Sequence, residues 1–195
     1  MTRKLQKEIR VDSLLMAAVD EFLDKGYNGA SMDAIARRAG VSKGGLYHHF
    51  ANKEILLMYA NQKLSEPAML LMEKALSNPS PLQGLRDFIF GYLTYWATRP
   101  RELSFFFLSM SKALESPCLM EYYREYVKES VAFFIEMFER TNKEGKIKID
   151  DPKAYGISLM GGLDGLASFA IIHPEEDIKL LADRFEHVWL RQGKE

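Results

Sequence analysis

The spacing of apolar residues constrains the fold of this chain more than any other feature of its sequence. Apolar side chains recur every three or four residues along most of the 195 positions, as in Leu14, Ala18 and Phe22. This spacing puts them on one face of an α-helix, whereas a half-buried strand alternates with a period of two. The one weak exception is the short segment 146–149. The sequence therefore predicts an all-α protein.

Residues that begin and end helices divide the chain into about nine of them. In the first third, Ser31, Ser42 and Asn52 each precede a periodic apolar segment, as N-caps do, and Gly26 and Gly40 stand where a helix ends or turns. Four helices are therefore expected there. Beyond them, prolines suited to the first turn of a helix predict five more, near 82–98, 101–115, 117–142, 152–172 and 174–192.

The segment SMDAIARRAGVSKGGLYHHF, residues 31–50, has the features of a helix-turn-helix in the correct order. Its expected inward positions and turn are Ile35, Ala36, Gly40, Val41, Leu46 and Phe50. The positions between them are polar, and Lys43 falls in the first turn of the second helix, the one that would enter a major groove. This segment predicts binding to double-stranded DNA.

The charge distribution agrees with a DNA-binding N-terminus. Residues 1–53 hold nine Lys and Arg against six Asp and Glu, a net charge of +3, and the rest of the chain, 17 against 21, carries −4. A basic cluster near the N-terminus, formed by Arg3, Lys4, Lys7 and Arg10, could lie along a phosphate backbone or be a solvated face.

A denser pattern of specific residues runs through the first quarter of the chain. It consists of Leu14-Leu15 and Ala17-Ala18, Phe22, Gly26-Tyr27, Ser31-Met32, Ile35-Ala36, the segment AGVS at 39–42, the segment GLY at 45–47, Phe50 and Lys53-Glu54. This pattern resembles the N-terminal signature of the tetracycline-repressor (TetR) family of transcriptional regulators. The resemblance implies a three-helix DNA-binding domain at residues 1–53 and a larger helical bundle at 54–195 for ligand binding and dimerisation.

The resemblance also implies which side chains meet DNA. The expected contacts are to phosphate from Ser31 and Lys53, to base edges from Lys43 and Gly44, and to backbone and bases from Tyr47 and His48, with Arg37 and Ser42 on the same surface. Three of these residues also suit a different role: Arg37 can be merely solvated, Tyr47 half-buried between helices, and Gly44 a packing glycine, as we expect for Gly45. His48 and its neighbour His49 diverge by about 100° on a helix, so no metal site is expected.

The middle of the chain is rich in aromatic and methionine side chains, which suit both an ordinary core and an adaptable apolar pocket. The resemblance implies that such a pocket binds a small-molecule effector, which this composition suggests is mainly apolar. The pocket candidates, chosen by helix position, are Trp96, Phe106, Met110, Tyr123 and Phe134.

Three glycines fall within six residues in MGGLDG, residues 160–165, at a total cost of about 3 kcal/mol in helix propensity. Close contact with another helix would compensate for this cost. The resemblance implies that the last two helices pair with those of a second copy, so the interface candidates are Gly161, Gly162, Gly165 and Trp189. The alternative is a local kink near the ligand pocket, with Asp164 as a polar contact.

A homodimer would present two recognition helices to the half-sites of a palindromic operator. The hypothesis for regulation is that ligand binding moves the fourth helix, changes the separation of these helices and releases a repressor. Pro67 is expected to kink or split that helix, either as a hinge or as a surface break without function.

Several other classes of protein are not expected. The sequence shows no catalytic constellation, cofactor motif or metal-ligand spacing, and its single cysteine, Cys118, cannot form an intrachain disulfide. It shows neither a signal peptide nor about 20 uncharged apolar residues, so a cytoplasmic protein is expected. A helical adaptor that binds protein through residues 31–50 remains an alternative to the regulator.

Overall fold

A computed structural model describes the backbone of residues 3–190 and the side chains of residues 11–190. Within these residues the protein has nine α-helices and no strand, which confirms the predicted all-α fold. The helices are α1 Arg3–Gly29, α2 Met32–Arg38, α3 Lys43–His49, α4 Lys53–Ser77, α5 Pro81–Ala97, α6 Pro100–Ala113, α7 Pro117–Lys143, α8 Pro152–Ile172 and α9 Ile178–Leu190.

The predicted N-caps start three of these helices. In each case the backbone amide three residues later donates to the side-chain oxygen, at 3.2 Å for Ser31, 3.1 Å for Ser42 and 2.9 Å for Asn52. Each such bond satisfies one of the amides that a helix start leaves without a backbone partner. Gly40, in the turn between α2 and α3, has a φ of +66°, and Gly26 has a φ of +68° that breaks the helical geometry inside α1, three residues before its end; both values favour glycine.

The predicted prolines open α5, α6, α7 and α8, but the prediction for α9 was wrong at its start. That helix begins at Ile178 and not at Pro174. Asp177 acts as its cap: the Asp177 side chain accepts from the amide of Lys179 at 2.8 Å, and its carbonyl accepts from the amide of Leu181 at 2.9 Å. Residues 174–177 therefore form a turn.

Two further points left open by the sequence are settled. Helix α4 continues through Pro67, so the proline does not split it. Residues 146–149 form no strand; instead the Asn142 side chain accepts from the amide of Ile149 at 3.0 Å and donates to its carbonyl at 2.8 Å. The two isoleucines of this segment, Ile147 and Ile149, are buried.

The chain forms two compact units. Unit 1 comprises Met1–Glu66 and Ser104–Tyr123, and unit 2 comprises Pro67–Leu103 and Arg124–Glu195. The helix-turn-helix segment therefore groups with most of α6 and the start of α7. The predicted division into a DNA-binding domain at residues 1–53 and a helical bundle at 54–195 stays a prediction.

Each unit has its own aromatic and aliphatic core. In unit 1, Phe22, Ile35 and Leu46 are completely buried, and the ring of Phe105 on α6 lies 6.1 Å from that of Phe22. In unit 2, the ring of Phe88 on α5 lies 4.9 Å and 5.6 Å from those of Phe133 and Phe134 on α7. Truncating such a buried phenylalanine to alanine typically costs about 3–5 kcal/mol, so these clusters fix the helices that carry the functional side chains.

Candidate nucleic-acid interface and cavity

Helix α3 separates its side chains cleanly into two faces. Leu46 is 0% exposed and Phe50 is 4% exposed, so both lie in the core of unit 1. Tyr47 is 44% exposed, and Lys43 and His48 are exposed beside it. Tyr47 is thus about half buried, and one face of α3 carries exposed polar side chains.

The two glycines of α3 differ in what surrounds them. A Cβ on Gly44 would meet nothing within 4 Å, so packing within the chain gives no reason for glycine there. A Cβ on Gly45 would lie 3.2 Å from Oγ of Ser42, the residue that caps the helix. Packing against the cap thus accounts for Gly45, as predicted, and leaves Gly44 as a point where another molecule could approach the backbone.

The serine caps remain able to bind an anion. Ser31 and Ser42 are both exposed, and each uses its oxygen as an acceptor for a backbone amide. A hydroxyl also carries one donor, which the cap does not use. A phosphate oxygen could accept that hydrogen bond, and the positive end of the helix dipole would favour it.

The adjacent arginines of α2 have different surroundings. Arg38 pairs with Asp24 at 2.7 Å and with Glu21 at 3.3 Å, so it ties α2 to α1. The side-chain hydrogen bond from Arg38 to Asp24 is the main cause that raises the pKa of Arg38. Arg37 is exposed on the surface of α2. The prediction that Arg37 contacts DNA stays a prediction.

Lys43 is held by an acidic neighbour that sequence reasoning missed. Its Nζ lies 2.8 Å from Oδ1 of Asp33 on α2, and both side chains are more than half exposed. The hydrogen bond to Asp33, followed by the charge of that carboxylate, raises the pKa of Lys43. Lys43 can reach a base edge only by leaving this exposed pair, which is worth about 1 kcal/mol or less.

Lys53 is partly buried, and its ammonium group already has partners within the chain. Its Nζ donates to the carbonyls of Tyr27 at 2.6 Å and Ala30 at 3.0 Å, and it lies 4.4 Å from the centre of the Tyr27 ring. Burial, and then the ammonium of Lys112, lowers the pKa of Lys53. The ammonium of Lys112 lies 4.9 Å from the same ring. Lys53 therefore joins the start of α4 to the end of α1 and to Ala30, which follows α1. Its phosphate contact stays a prediction.

The histidines of α3 come closer to each other than the helical angle suggested. The rings of His48 and His49 pack edge to face with centres 5.2 Å apart. Across the described residues, no group of three or more His, Cys, Asp or Glu side chains could hold a metal ion. The basic cluster of Arg3, Lys4, Lys7 and Arg10 has side chains outside the described residues.

Unit 2 contains an apolar cavity between α4, α5, α7 and α8. Its walls are Ala68, Met72, Phe88, Tyr92, Tyr126, Ser130, Phe134, Met160 and Leu163. The freely accessible space is about 20 Å³, room for one water molecule. A larger ligand would have to displace side chains, and methionine is the residue type best suited to that.

Of the five pocket candidates, only Phe134 lines this cavity. Trp96 is completely buried in unit 2, with its ring packed on those of Tyr92 and Tyr95. Phe106 and Tyr123 are buried in unit 1, where the Tyr123 hydroxyl donates to the Phe106 carbonyl at 3.4 Å. Met110 is 39% exposed. The other four candidates do not line this cavity, and their role in ligand binding stays a prediction.

A polar pair stands at the cavity wall. The Tyr92 hydroxyl donates to Oδ1 of Asp164 at 2.5 Å and so joins α5 to α8. Burial raises the pKa of the Asp164 carboxyl, and the hydrogen bond from Tyr92 opposes that shift. Burial also raises the pKa of Tyr92, with smaller contributions from Tyr126 and Asp164.

The glycines of α8 divide into two kinds. A Cβ on Gly162 would lie 3.0 Å from the Phe185 ring of α9, so packing within the chain explains this residue. A Cβ on Gly161 or Gly165 would meet nothing within 4 Å. Trp189 packs within the chain, with its ring 5.3 Å from that of Tyr155. The structure thus gives Gly162 and Trp189 an internal role and leaves the two other glycines on an open face.

That open face is apolar. On α8 it includes Ile157, Phe169 and Ile172, and on α9 Leu180 and Val188, all between 40% and 72% exposed. Helix α8 is even long and apolar enough to cross a membrane by length and composition alone, and only 28% of its most apolar window is buried. Large exposed apolar surfaces on proteins are common at sites of association.

Comparison with known proteins identifies the N-terminal helices. Residues 14–60 match the family model of bacterial regulatory proteins of the tetR family. The matched residues make up about a quarter of the chain, and they confirm the resemblance of its first quarter to this family of bacterial regulatory proteins.

Two relatives define how far the likeness to TetR-family proteins extends. The HTH-type transcriptional activator FasR of Mycolicibacterium smegmatis is 47% identical over 60 residues, which cover 31% of this chain and 27% of FasR. The HTH-type transcriptional repressor BepR of Brucella suis is 24% identical over 141 residues, 70% of this chain and 68% of BepR. The strong match to FasR thus spans about a quarter of that protein.

Solved structures of other regulators share the fold over most of the chain. A TetR-like transcriptional regulator from Rhodococcus sp. RHA1 has a TM-score of 0.72 at 24% identity, covering 93% of this chain and 94% of that one. The fatty acid degradation regulator FadR from Bacillus halodurans has a TM-score of 0.75 at 19% identity, covering 94% and 99%. At these identities the likeness concerns the fold.

Proposed function

We propose that this protein is a cytoplasmic, homodimeric repressor that binds a palindromic DNA operator and is released by a mainly apolar small molecule. The observation that carries the proposal is the exposed polar face of α3, with Tyr47 and His48 outward and Leu46 buried behind them. The family match over residues 14–60 supports DNA as the partner of that face.

On DNA, we expect α3 to enter the major groove with Lys43 and Gly44 leading. Gly44 has open space around its Cα, which lets the backbone approach the bases. Lys43 would leave its ion pair with Asp33 and contact base edges in the groove. Ser31, Ser42 and Arg37 add contacts to phosphate, which set the position of the helix without reading sequence.

The exposed apolar face of α8 and α9 supports dimerisation. Gly161 and Gly165 let a second helix approach α8 closely, and Phe169 and Ile172 extend the same apolar face. A twofold symmetric contact would use this surface twice and remove it from water. The dimer then offers two α3 helices to half-sites about 34–36 Å apart, one turn of DNA.

The cavity of unit 2 is the proposed effector site. Ala68 and Met72 of α4 line it, and α4 begins directly after α3, so a ligand that repositions α4 acts on the element that follows the recognition helix. Pro67 lies in α4 beside these lining residues. Switching the population from 1:99 to 99:1 needs about 5.5 kcal/mol of differential binding, which two sites in a dimer can share.

Repression is the proposed direction of regulation. The repressor BepR matches 70% of this chain, whereas the activator FasR matches only 31% of it. The longer match includes part of the predicted ligand-binding bundle, residues 54–195, where the response to a ligand would arise.

Footprinting on DNA upstream of its own gene tests the proposal. We expect two protected half-sites whose centres are about 10 base pairs apart or a multiple of that spacing, and a loss of protection when an effector is added. A single protected half-site, or protection that no compound from a library of apolar molecules removes, would contradict the dimer or the effector part respectively.

A further inference from the structure

Asp164 is a mostly buried carboxyl group without a positive partner. Its only side-chain partner among the described residues is the Tyr92 hydroxyl, at 2.5 Å. The ion pairs of the described chain involve other acids, and no lysine or arginine contributes to its electrostatic surroundings. Proteins rarely bury a carboxylate unless it is paired, because the loss of hydration is costly. Either a proton on the carboxyl or a cation beside it removes this cost.

The cavity beside this pair is suited to a positive charge. Four of its nine lining residues are aromatic, two are methionines, and none is basic. The faces of aromatic rings carry negative potential and attract cations, above all when water is excluded. Tyr92 lines the cavity and donates a hydrogen bond to Asp164, so the Asp164 carboxylate lies directly behind this part of the cavity wall.

We propose that the effector is an apolar organic cation whose ammonium or similar group binds at Asp164, with its apolar part among the rings and methionines of the unit 2 cavity. This inference rests on the proposed function of the cavity as the effector site. An anionic amphiphile would bring a second negative charge to Asp164, and a neutral alcohol would gain a hydrogen bond without the charge.

The binding of such a cation would also change a contact between two helices. The Tyr92 to Asp164 hydrogen bond joins α5 to α8, and a ligand cation competes with the hydroxyl for the carboxylate. Binding therefore alters a contact between two helices that both line the cavity.

Three probes with the same eight-carbon chain test the charge: octyltrimethylammonium, octanol and octanoate. Their affinities are measured by calorimetry on the full-length dimer, and their effect on DNA binding by fluorescence anisotropy. We expect the ammonium to bind most tightly. Asp164→Asn, which keeps the shape, should weaken the ammonium by about tenfold or more and leave octanol unchanged. Asp183→Asn, which removes an exposed acid of α9 in the same unit, is the matched control and should change neither.

Tyr92→Phe provides a second variant that keeps the carboxylate. It removes the competing hydroxyl, so the ammonium should bind more tightly than to the wild type. If octanol or octanoate binds as well as the ammonium and releases DNA, the cation inference is overturned while the proposed function stands. If no probe binds and none alters DNA binding, both fail for this cavity. If Asp164→Asn changes only the dimer equilibrium, the carboxylate serves the subunit contact and the inference is overturned.

Discussion

Replacing Lys53 with methionine separates two roles for this residue that the sequence could not distinguish. Methionine keeps most of the aliphatic stem and removes the ammonium that donates to the carbonyls of Tyr27 and Ala30. Hydrogen bonds from charged groups contribute about 1.5–3 kcal/mol each when shielded from water. Lys53 is only partly buried, so solvent screening reduces the expected loss to about 1–2 kcal/mol of folding free energy.

Thermal unfolding and DNA binding at several salt concentrations measure the two roles. We expect the melting temperature to fall by about 2–8 °C for a chain of this length. If Lys53 keeps its carbonyl partners on DNA, the slope of log K against log salt should be unchanged. A lysine that neutralises a phosphate would instead make the slope shallower by about 0.9 when removed.

Lys43→Met is the comparison variant, because Lys43 belongs to the exposed face of α3. It should leave the melting temperature within about 1 °C, since an exposed ion pair contributes little, and it should reduce the salt slope. If Lys53→Met reduces the slope and leaves stability unchanged, then Lys53 leaves the carbonyls to bind phosphate, and the role inferred from its hydrogen bonds is refuted.

Four other substitutions test separate parts of the mechanism. Asp33→Asn should tighten DNA binding about threefold to tenfold at low salt, seen as a lower Kd, because it releases Lys43 and removes a negative charge from the binding face. Gly165→Leu should convert the dimer to monomer in sedimentation equilibrium without unfolding α8, and a dimer that persists would place the interface elsewhere. The pKa of Asp164 is raised in the folded state, so the folded protein binds this proton more tightly than the unfolded protein does, and folding stability falls as pH rises above the usual carboxyl pKa. Asp164→Asn should therefore unfold at the same temperature as the wild type, or at a higher one, at pH 7. A lower unfolding temperature would contradict the direction of the pKa shift. Pro67→Ala should preserve operator affinity and weaken the response to effector, and if both stay unchanged the hinge role is abandoned.

The N-terminal part of the molecule could be predicted well from sequence because its signals are local. Ser31, Ser42 and Asn52 cap helices through bonds to amides three residues away, and Gly40 supplies its turn through its own backbone freedom. The period of the apolar residues then decides that Leu46 faces inward. No long-range information was needed for these conclusions.

The bundle at residues 54–195 could be predicted only as a set of helices, because its cavity depends on contacts between residues distant in sequence. Tyr92 and Asp164 are 72 residues apart, and nothing in the sequence says that they meet. Phe106 and Tyr123 looked as suitable for a pocket as Phe134, but the fold buries them in unit 1. Gly162 could not be told from Gly161 until Phe185 was placed beside it.

Binding of Tyr47→Ala to the upstream DNA tests the central claim, that the exposed face of α3 recognises an operator, most directly. The Tyr47 side chain is 44% exposed, so its loss should lower folding stability by about 1–2 kcal/mol and leave the protein folded at the temperature of the binding assay. We predict wild-type binding that is sequence-specific and steeply dependent on salt, and a clear loss of affinity in the folded variant. Wild-type affinity in the variant, or no specific binding by the native protein, would contradict this claim.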